Sequence, residues 1–116
     1  MHETEKVFDH DEALASVDGD LELLADLIQL FNRDRDEMVG ALRDSVRAGD
    51  AEGIQAGAHK LKGALSVLAA REATELAFAL ERQARSGDLT DAAATFAEFE
   101  AALARLAPAL EKCVGA

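Results

Sequence analysis

Three Gly–Asp pairs divide this chain into four pieces, and they constrain its fold more than any other feature. The pairs are Gly19–Asp20, Gly49–Asp50 and Gly87–Asp88. Glycine suits the left-handed residue that ends a helix, and aspartate suits the N-cap that begins the next one. Each pair therefore predicts a short joint between two helices.

The four pieces predict five helices, because their apolar residues recur at helical spacing. The first piece predicts a short helix over about 9–17, where Asp9 and Glu12 resemble a capping box. The second predicts one helix over about 20–48. The third is too long for one helix and predicts two, over about 50–68 and 71–86. The fourth predicts a helix from about 88 or 90 to 113, which Pro108 should kink or loosen by removing a backbone donor.

The amino-acid composition agrees with a helical protein. The chain has 116 residues, of which 49% are hydrophobic, with one Pro and no Trp or Tyr. Ala, Leu, Glu and Arg are frequent, and all four are strong helix formers. This length allows one domain with a modest core. Four amphipathic helices with short joints predict an all-α antiparallel four-helix bundle with a short additional N-terminal helix.

The charge and the terminal segments restrict the partners and the compartment. The net charge of -11 argues against binding to nucleic acid or to an anionic membrane. Residues 51–85 nevertheless carry five Lys or Arg against four Glu, so either a negative group binds there or the excess is chance. There is a single cysteine, no apolar run of the roughly 18 residues that a membrane span needs, and no signal-peptide pattern. We therefore predict a cytoplasmic protein.

One histidine, in the helix predicted over about 50–68, is expected to face solvent. His59 lies in the stretch AHKLKG, residues 58–63, and a helical wheel places the apolar residues of this helix on the opposite side. Lys62 and Gly63 flank it, each within about 60° on the wheel. A glycine inside a helix costs about 1 kcal/mol relative to alanine. At this exposed position its benefit is room for a large group beside the imidazole, although His59 taken alone is better explained as a solvated surface residue.

The sequence argues against several other kinds of site. A metal site is disfavoured because no second His or Cys shares the face of His59 and no HExxH motif is present. A serine hydrolase would need a nucleophile elbow, which is missing. The acidic stretch at 32–37 lacks the glycine and the distal glutamate of a calcium loop. Without a glycine-rich nucleotide loop, no ATP-dependent kinase activity is expected.

The stretch AHKLKG resembles the signature of histidine-containing phosphotransfer (HPt) domains, Ala-His-x-Leu-Lys-Gly. Four more segments resemble this family in the same order: FDHDEAL at 8–14, GDLELLADLIQLF at 19–31, LRDSVRAGD at 42–50 and LERQARSGDL at 80–89. The resemblance places the helical bundle over residues 8–114 and leaves 1–7 as an N-terminal tail. Family members commonly have Gly where this chain has Ala69 and often Asn where it has Val67, so the joint before Arg71 and the contact surface are expected to differ.

The resemblance implies a phosphoryl carrier of a multistep two-component phosphorelay, not an enzyme. His59 would accept the phosphoryl group through Nε2, and Lys62 would lie near the phosphoryl oxygens. Gly63 would leave room for a partner to dock, and Glu81 would orient His59 through the other ring nitrogen. From the residues alone, Glu81 is better explained as a helix pair with Arg85, four positions later.

The resemblance also implies the partners. The receiver domain of a response regulator would exchange the phosphoryl group through an aspartate and would supply Mg²⁺, so this chain itself needs no cofactor. A hybrid or sensor histidine kinase would be the other partner, and the chain is expected to be a monomer. Two alternatives stay open: a helical interaction domain that binds a receiver or kinase without carrying phosphate, and an excised phospho-accepting domain of a larger histidine kinase.

Overall fold

Helices make up most of the described chain. The computed structural model describes residues 6–113, and within that range it holds helices and no strand. In chain order they are α1 (His10–Ser16), α2 (Leu21–Ala48), α3 (Ala51–Val67), α4 (Arg71–Ser86) and α5 (Ala92–Cys113). The predicted all-α fold is confirmed, whereas most of the predicted tail 1–7 and the predicted domain end at 114 lie outside the described residues. None of the described helices combines the length and apolarity that a membrane crossing requires.

The first two Gly–Asp joints form as predicted. Gly49 follows α2 with a left-handed φ of 66°. The carboxylate of Asp50 then accepts a hydrogen bond from the backbone N–H of Gly53 at 3.1 Å, which caps α3. Asp20 caps α2 in the same way, through the N–H of Leu23 at 3.0 Å. These caps fix where α2 and α3 begin.

The third joint differs from the prediction. Gly87 ends α4 with a φ of 81°, but Asp88 does not cap the next helix. Its carboxylate accepts hydrogen bonds from the backbone N–H and the hydroxyl of Thr90, at 3.1 and 2.6 Å. This local turn occupies the residue that would have been the N-cap. The last helix consequently begins at Ala92, later than predicted, and it then continues through Pro108.

The core is built mainly from the inward faces of the four long helices. The apolar residues predicted to lie opposite His59 are all buried: Ile54, Ala58, Leu61 and Leu65 in α3, and Leu68 directly after it. Five larger apolar residues of α5 are buried as well: Phe96, Phe99, Leu103, Leu106 and Leu110. Helix α3 packs against α2 and α4, and α5 packs against α4 and α2. This packing leaves the outer face of α3 at the surface of the protein.

The connection between α3 and α4 places an alanine in a conformation that favours glycine. Ala69 is buried and has a φ of 55°. The N–H of Ala70 bonds to the carbonyl of Leu65 at 3.1 Å, and the N–H of Asp9 bonds to the carbonyl of Ala69 at 3.1 Å. The chain therefore makes a left-handed turn here without glycine, at a strain of about 1–2 kcal/mol.

Candidate functional site

His59 projects from the outer face of α3. Its side chain is 69% exposed, whereas Ala58 and Leu61 on the inner face are fully buried. The imidazole is therefore solvent-facing, as the helical wheel predicts. A partner can reach this ring without any rearrangement of the core.

A buried carboxylate lies behind the imidazole. Glu81 on α4 is only 2% exposed, and its Oε2 is 2.8 Å from Nδ1 of His59. A carboxylate only accepts hydrogen bonds, so this contact assigns the proton of the neutral ring to Nδ1. The other nitrogen, Nε2, is then left with a free lone pair, which is the nucleophilic form of the ring.

Glu81 accepts hydrogen bonds from two further side chains. Its Oε1 accepts from Nζ of Lys62 at 2.7 Å, and its Oε2 accepts from Arg85 at 3.2 Å. The pKa of Glu81 lies below its ordinary value of 4.5, chiefly because of the hydrogen bond from Lys62 and also because of the one from His59. Burial opposes this shift. The carboxylate is therefore ionised at neutral pH, and its contacts with His59 and with Arg85 are both present.

Lys62 also contacts an aromatic ring that the sequence analysis did not single out. Its Nζ lies 4.9 Å from the ring centroid of Phe78 on α4, and the guanidinium of Arg82 lies 4.7 Å from the same centroid. Phe78 comes three residues before Glu81 and four before Arg82, so the three share one face of α4. That spacing is visible in the sequence, but the approach of Lys62 across the two helices is not.

Gly63 lies in open space. A Cβ placed on this residue would have no neighbour within 4 Å. A Cβ on Gly53, in contrast, would lie 2.5 Å from Oγ of Ser45. Packing inside the protein therefore explains the glycine at position 53 but not the one at position 63.

An apolar groove between α2 and α3 adjoins the Gly63 side of His59. Leu30 of α2 and Val67 of α3 are both exposed, and Ala64 also lines the groove. Two charged residues, the positive Lys60 and the negative Asp34, also line the groove. The surface beside the imidazole is therefore apolar on the α2 side and rich in charged residues on the α4 side.

Comparisons with known proteins agree with this geometry. A family model described as "Hpt domain" matches residues 22–109, well over half of the chain. The crystal structure of histidine-containing phosphotransfer protein B (HptB) from Pseudomonas aeruginosa PAO1 is similar, with a TM-score of 0.80 and 28% sequence identity over 88% of this chain and 90% of that one. A search of curated proteins finds no match. This chain belongs to the Hpt domain family, and it is a histidine phosphotransfer protein of a phosphorelay.

Proposed function

We propose that His59 carries the phosphoryl group on Nε2 and exchanges it with an aspartate of a receiver domain. The observation that supports this most directly is the pairing of an exposed ring with a buried Glu81 at Nδ1. In the transfer to this chain, the Nε2–P bond forms as the P–O bond to the aspartate breaks. The aspartate leaves as a carboxylate, and the reverse steps return the group.

Glu81 would stabilise the charge that develops during this step. As Nε2 shares its lone pair with phosphorus, the imidazole ring gains positive charge. The carboxylate oxygen 2.8 Å from Nδ1 already faces the ring, so no group has to move to balance that charge. The same contact holds the tautomer in which Nε2 is the nucleophile, as carboxylates do for metal-binding histidines.

Lys62 would neutralise part of the charge on the phosphoryl oxygens. It lies one turn after His59 and donates to the same carboxylate, which keeps its ammonium close to the imidazole. An ammonium has three N–H donors, and Glu81 occupies one of them. Phosphoryl transfer depends mainly on positioning and charge neutralisation, so this chain need not supply further catalytic groups.

Gly63 and the adjoining groove would form the docking surface for the receiver. The open space at Gly63 leaves the approach to Nε2 unobstructed. Beside it, the exposed side chains of Leu30 and Val67 offer an apolar contact. The presence of Val67 where relatives often have Asn makes this part of the surface more apolar than the family pattern implies.

Several finer points belong to the same proposal. The short joints and the packing of successive helices support an antiparallel order of the four long helices, α2 to α5. We further propose that the bundle covers residues 8–114, that the chain is a cytoplasmic monomer, and that it acts as a carrier without enzymatic activity. The partner at the other end of the relay is a hybrid or sensor histidine kinase. Mg²⁺ belongs to the receiver, and this chain needs no cofactor.

The assignment of His59 is tested by phosphoryl transfer from a receiver domain charged with radiolabelled acetyl phosphate. We expect acid-labile, alkali-stable label on the wild-type chain, because phosphohistidine has that stability pattern, and none on His59→Gln. His10, a partly exposed histidine near the start of α1, provides the matched control. His10→Gln should be labelled like the wild type.

Two outcomes would overturn the assignment. Undiminished label on His59→Gln would place the phosphoryl group elsewhere. Binding of the receiver without labelling of the wild-type chain would instead identify an interaction domain that carries no phosphate. Circular dichroism of each variant shows that the helices are intact, which the exposure of both histidines leads us to expect.

A further inference from the structure

An exposed aromatic ring lies against two cations beside the proposed phosphoryl site. Phe78 is 41% exposed, so the core accounts for only part of its surroundings. Nζ of Lys62 lies 4.9 Å from its centroid and the guanidinium of Arg82 lies 4.7 Å from it. Both distances are within the range in which a cation is attracted to the face of an aromatic ring.

These contacts restrict the position of Lys62. A lysine side chain on a surface loses considerable rotamer freedom when it is held in one place. Here two groups hold the ammonium, Oε1 of Glu81 at 2.7 Å and the ring of Phe78. The ring attracts the ammonium without accepting all of its donors, so N–H groups stay available for an anion. Without the ring, the ammonium of Lys62 would be held only by Glu81 and could move about that one hydrogen bond.

We propose that Phe78 is a positioning residue that keeps the ammonium of Lys62 beside the imidazole of His59, ready for the phosphoryl oxygens. This inference rests on the proposed function of His59. In this role the ring acts through Lys62 and not by direct contact with the reacting nitrogen or the phosphoryl group. Loss of a cation–π contact of this kind at a partly exposed site should slow transfer about two- to fivefold.

The test is a double-mutant cycle of single-turnover transfer from a phosphorylated receiver. The variants are Phe78→Leu, Phe78→Tyr, Lys62→Met and the Phe78→Leu/Lys62→Met double variant. We expect Phe78→Leu to lower the maximal rate about two- to fivefold without changing the receiver concentration at half-maximal rate. Phe78→Tyr keeps an aromatic ring at this position and should transfer at the wild-type rate. In the Lys62→Met background, the change at Phe78 should have no further effect.

A size-matched ring separates this electrostatic role from simple packing. Replacing Phe78 with 3,4,5-trifluorophenylalanine keeps the shape of the ring and removes most of the negative potential of its face, so transfer should slow as it does for Phe78→Leu. A wild-type rate in the fluorinated protein would overturn the proposal. So would an undiminished effect of Phe78→Leu in the Lys62→Met background, because the ring would then act by contacting the receiver.

The proposed function and this inference fail in different ways. If the wild-type chain acquires no label, the assignment of His59 is wrong. If the wild-type chain is labelled at His59 and all Phe78 variants transfer at the same rate, only the role of Phe78 is wrong.

Discussion

Replacement of Gly63 should make the protein more stable and less active at the same time. The substitution Gly63→Ala removes the conformational freedom of a glycine from the interior of α3, which favours the helix by about 0.8–1 kcal/mol. The added Cβ meets nothing within 4 Å, so no clash reduces this gain. For a domain of this size, such a change raises Tm by about 3–5 °C. Gly63→Leu should stabilise the helix nearly as much, since leucine is also a strong helix former.

The cost of these substitutions appears only when a partner docks. A leucine at position 63 stands within about 40° of His59 on the helix and projects into the approach to Nε2. Forcing extra carbon atoms into a close contact costs about 1–3 kcal/mol, so transfer should slow about fivefold or more. Gly40, in the interior of α2, provides the matched control because a Cβ there also meets nothing within 4 Å. Gly40→Ala should gain the same stability and transfer normally.

Urea denaturation and single-turnover transfer measure the two effects on the same samples. Transfer by Gly63→Leu at the wild-type rate would show that the glycine does not provide access for the partner. A loss of stability in Gly63→Ala would show that the backbone there needs glycine for its own conformation. If Gly40→Ala slowed transfer as much as Gly63→Ala does, the slowing would come from helix rigidity and not from blocked access.

Other substitutions test the buried carboxylate and the strained turn. Glu81→Gln keeps an acceptor for Nδ1 of His59 but removes its charge, so transfer should slow about tenfold in single-turnover assays; an unchanged rate would contradict the role of the charge. Because the pKa of Glu81 is lowered in the folded state, its contribution to stability is present above pH 4.5 and is lost as the pH falls through the lower folded value. Urea denaturation between pH 7 and about pH 3 should therefore show a smaller loss of stability for Glu81→Gln than for the wild type. Ala69→Val puts a β-branched residue at a buried position with a φ of 55°, which should cost about 2–3 kcal/mol of unfolding free energy in urea; a loss below about 1 kcal/mol would contradict the strain.

The helices follow from local sequence signals, and the errors occur where two signals compete. Gly49 and Asp50 act within one turn of the chain, so their effect is readable from the sequence. Asp88 offers the same signal, but its carboxylate is satisfied by Thr90 only two residues later, and the start of α5 moves to Ala92. The left-handed conformation of Ala69 likewise accompanies a long-range hydrogen bond, from the N–H of Asp9 to its carbonyl, and local propensity does not predict it.

The candidate site can likewise be predicted from the sequence only in part. The exposure of His59 and the open space at Gly63 depend on the face of a single helix, and a helical wheel is enough to predict them. The burial of Glu81 depends on how α4 packs against α3, and the family resemblance, more than the spacing of residues, pointed to its contact with His59. The contact between Lys62 and Phe78 needs the same packing. No periodicity in the sequence encodes it, although Phe78, Glu81 and Arg82 fall on one face of α4.

The placement of His59 on a convex helix face has a consequence for the order of events in the relay. A donor and an acceptor that both require Nε2 must occupy the same few square nanometres of α3, so the two cannot be bound together. Each turnover then needs one complex to dissociate before the next can form. An excess of unphosphorylated acceptor would therefore slow charging of the carrier by competing with the donor for this surface, in addition to removing phosphoryl groups from the charged carrier.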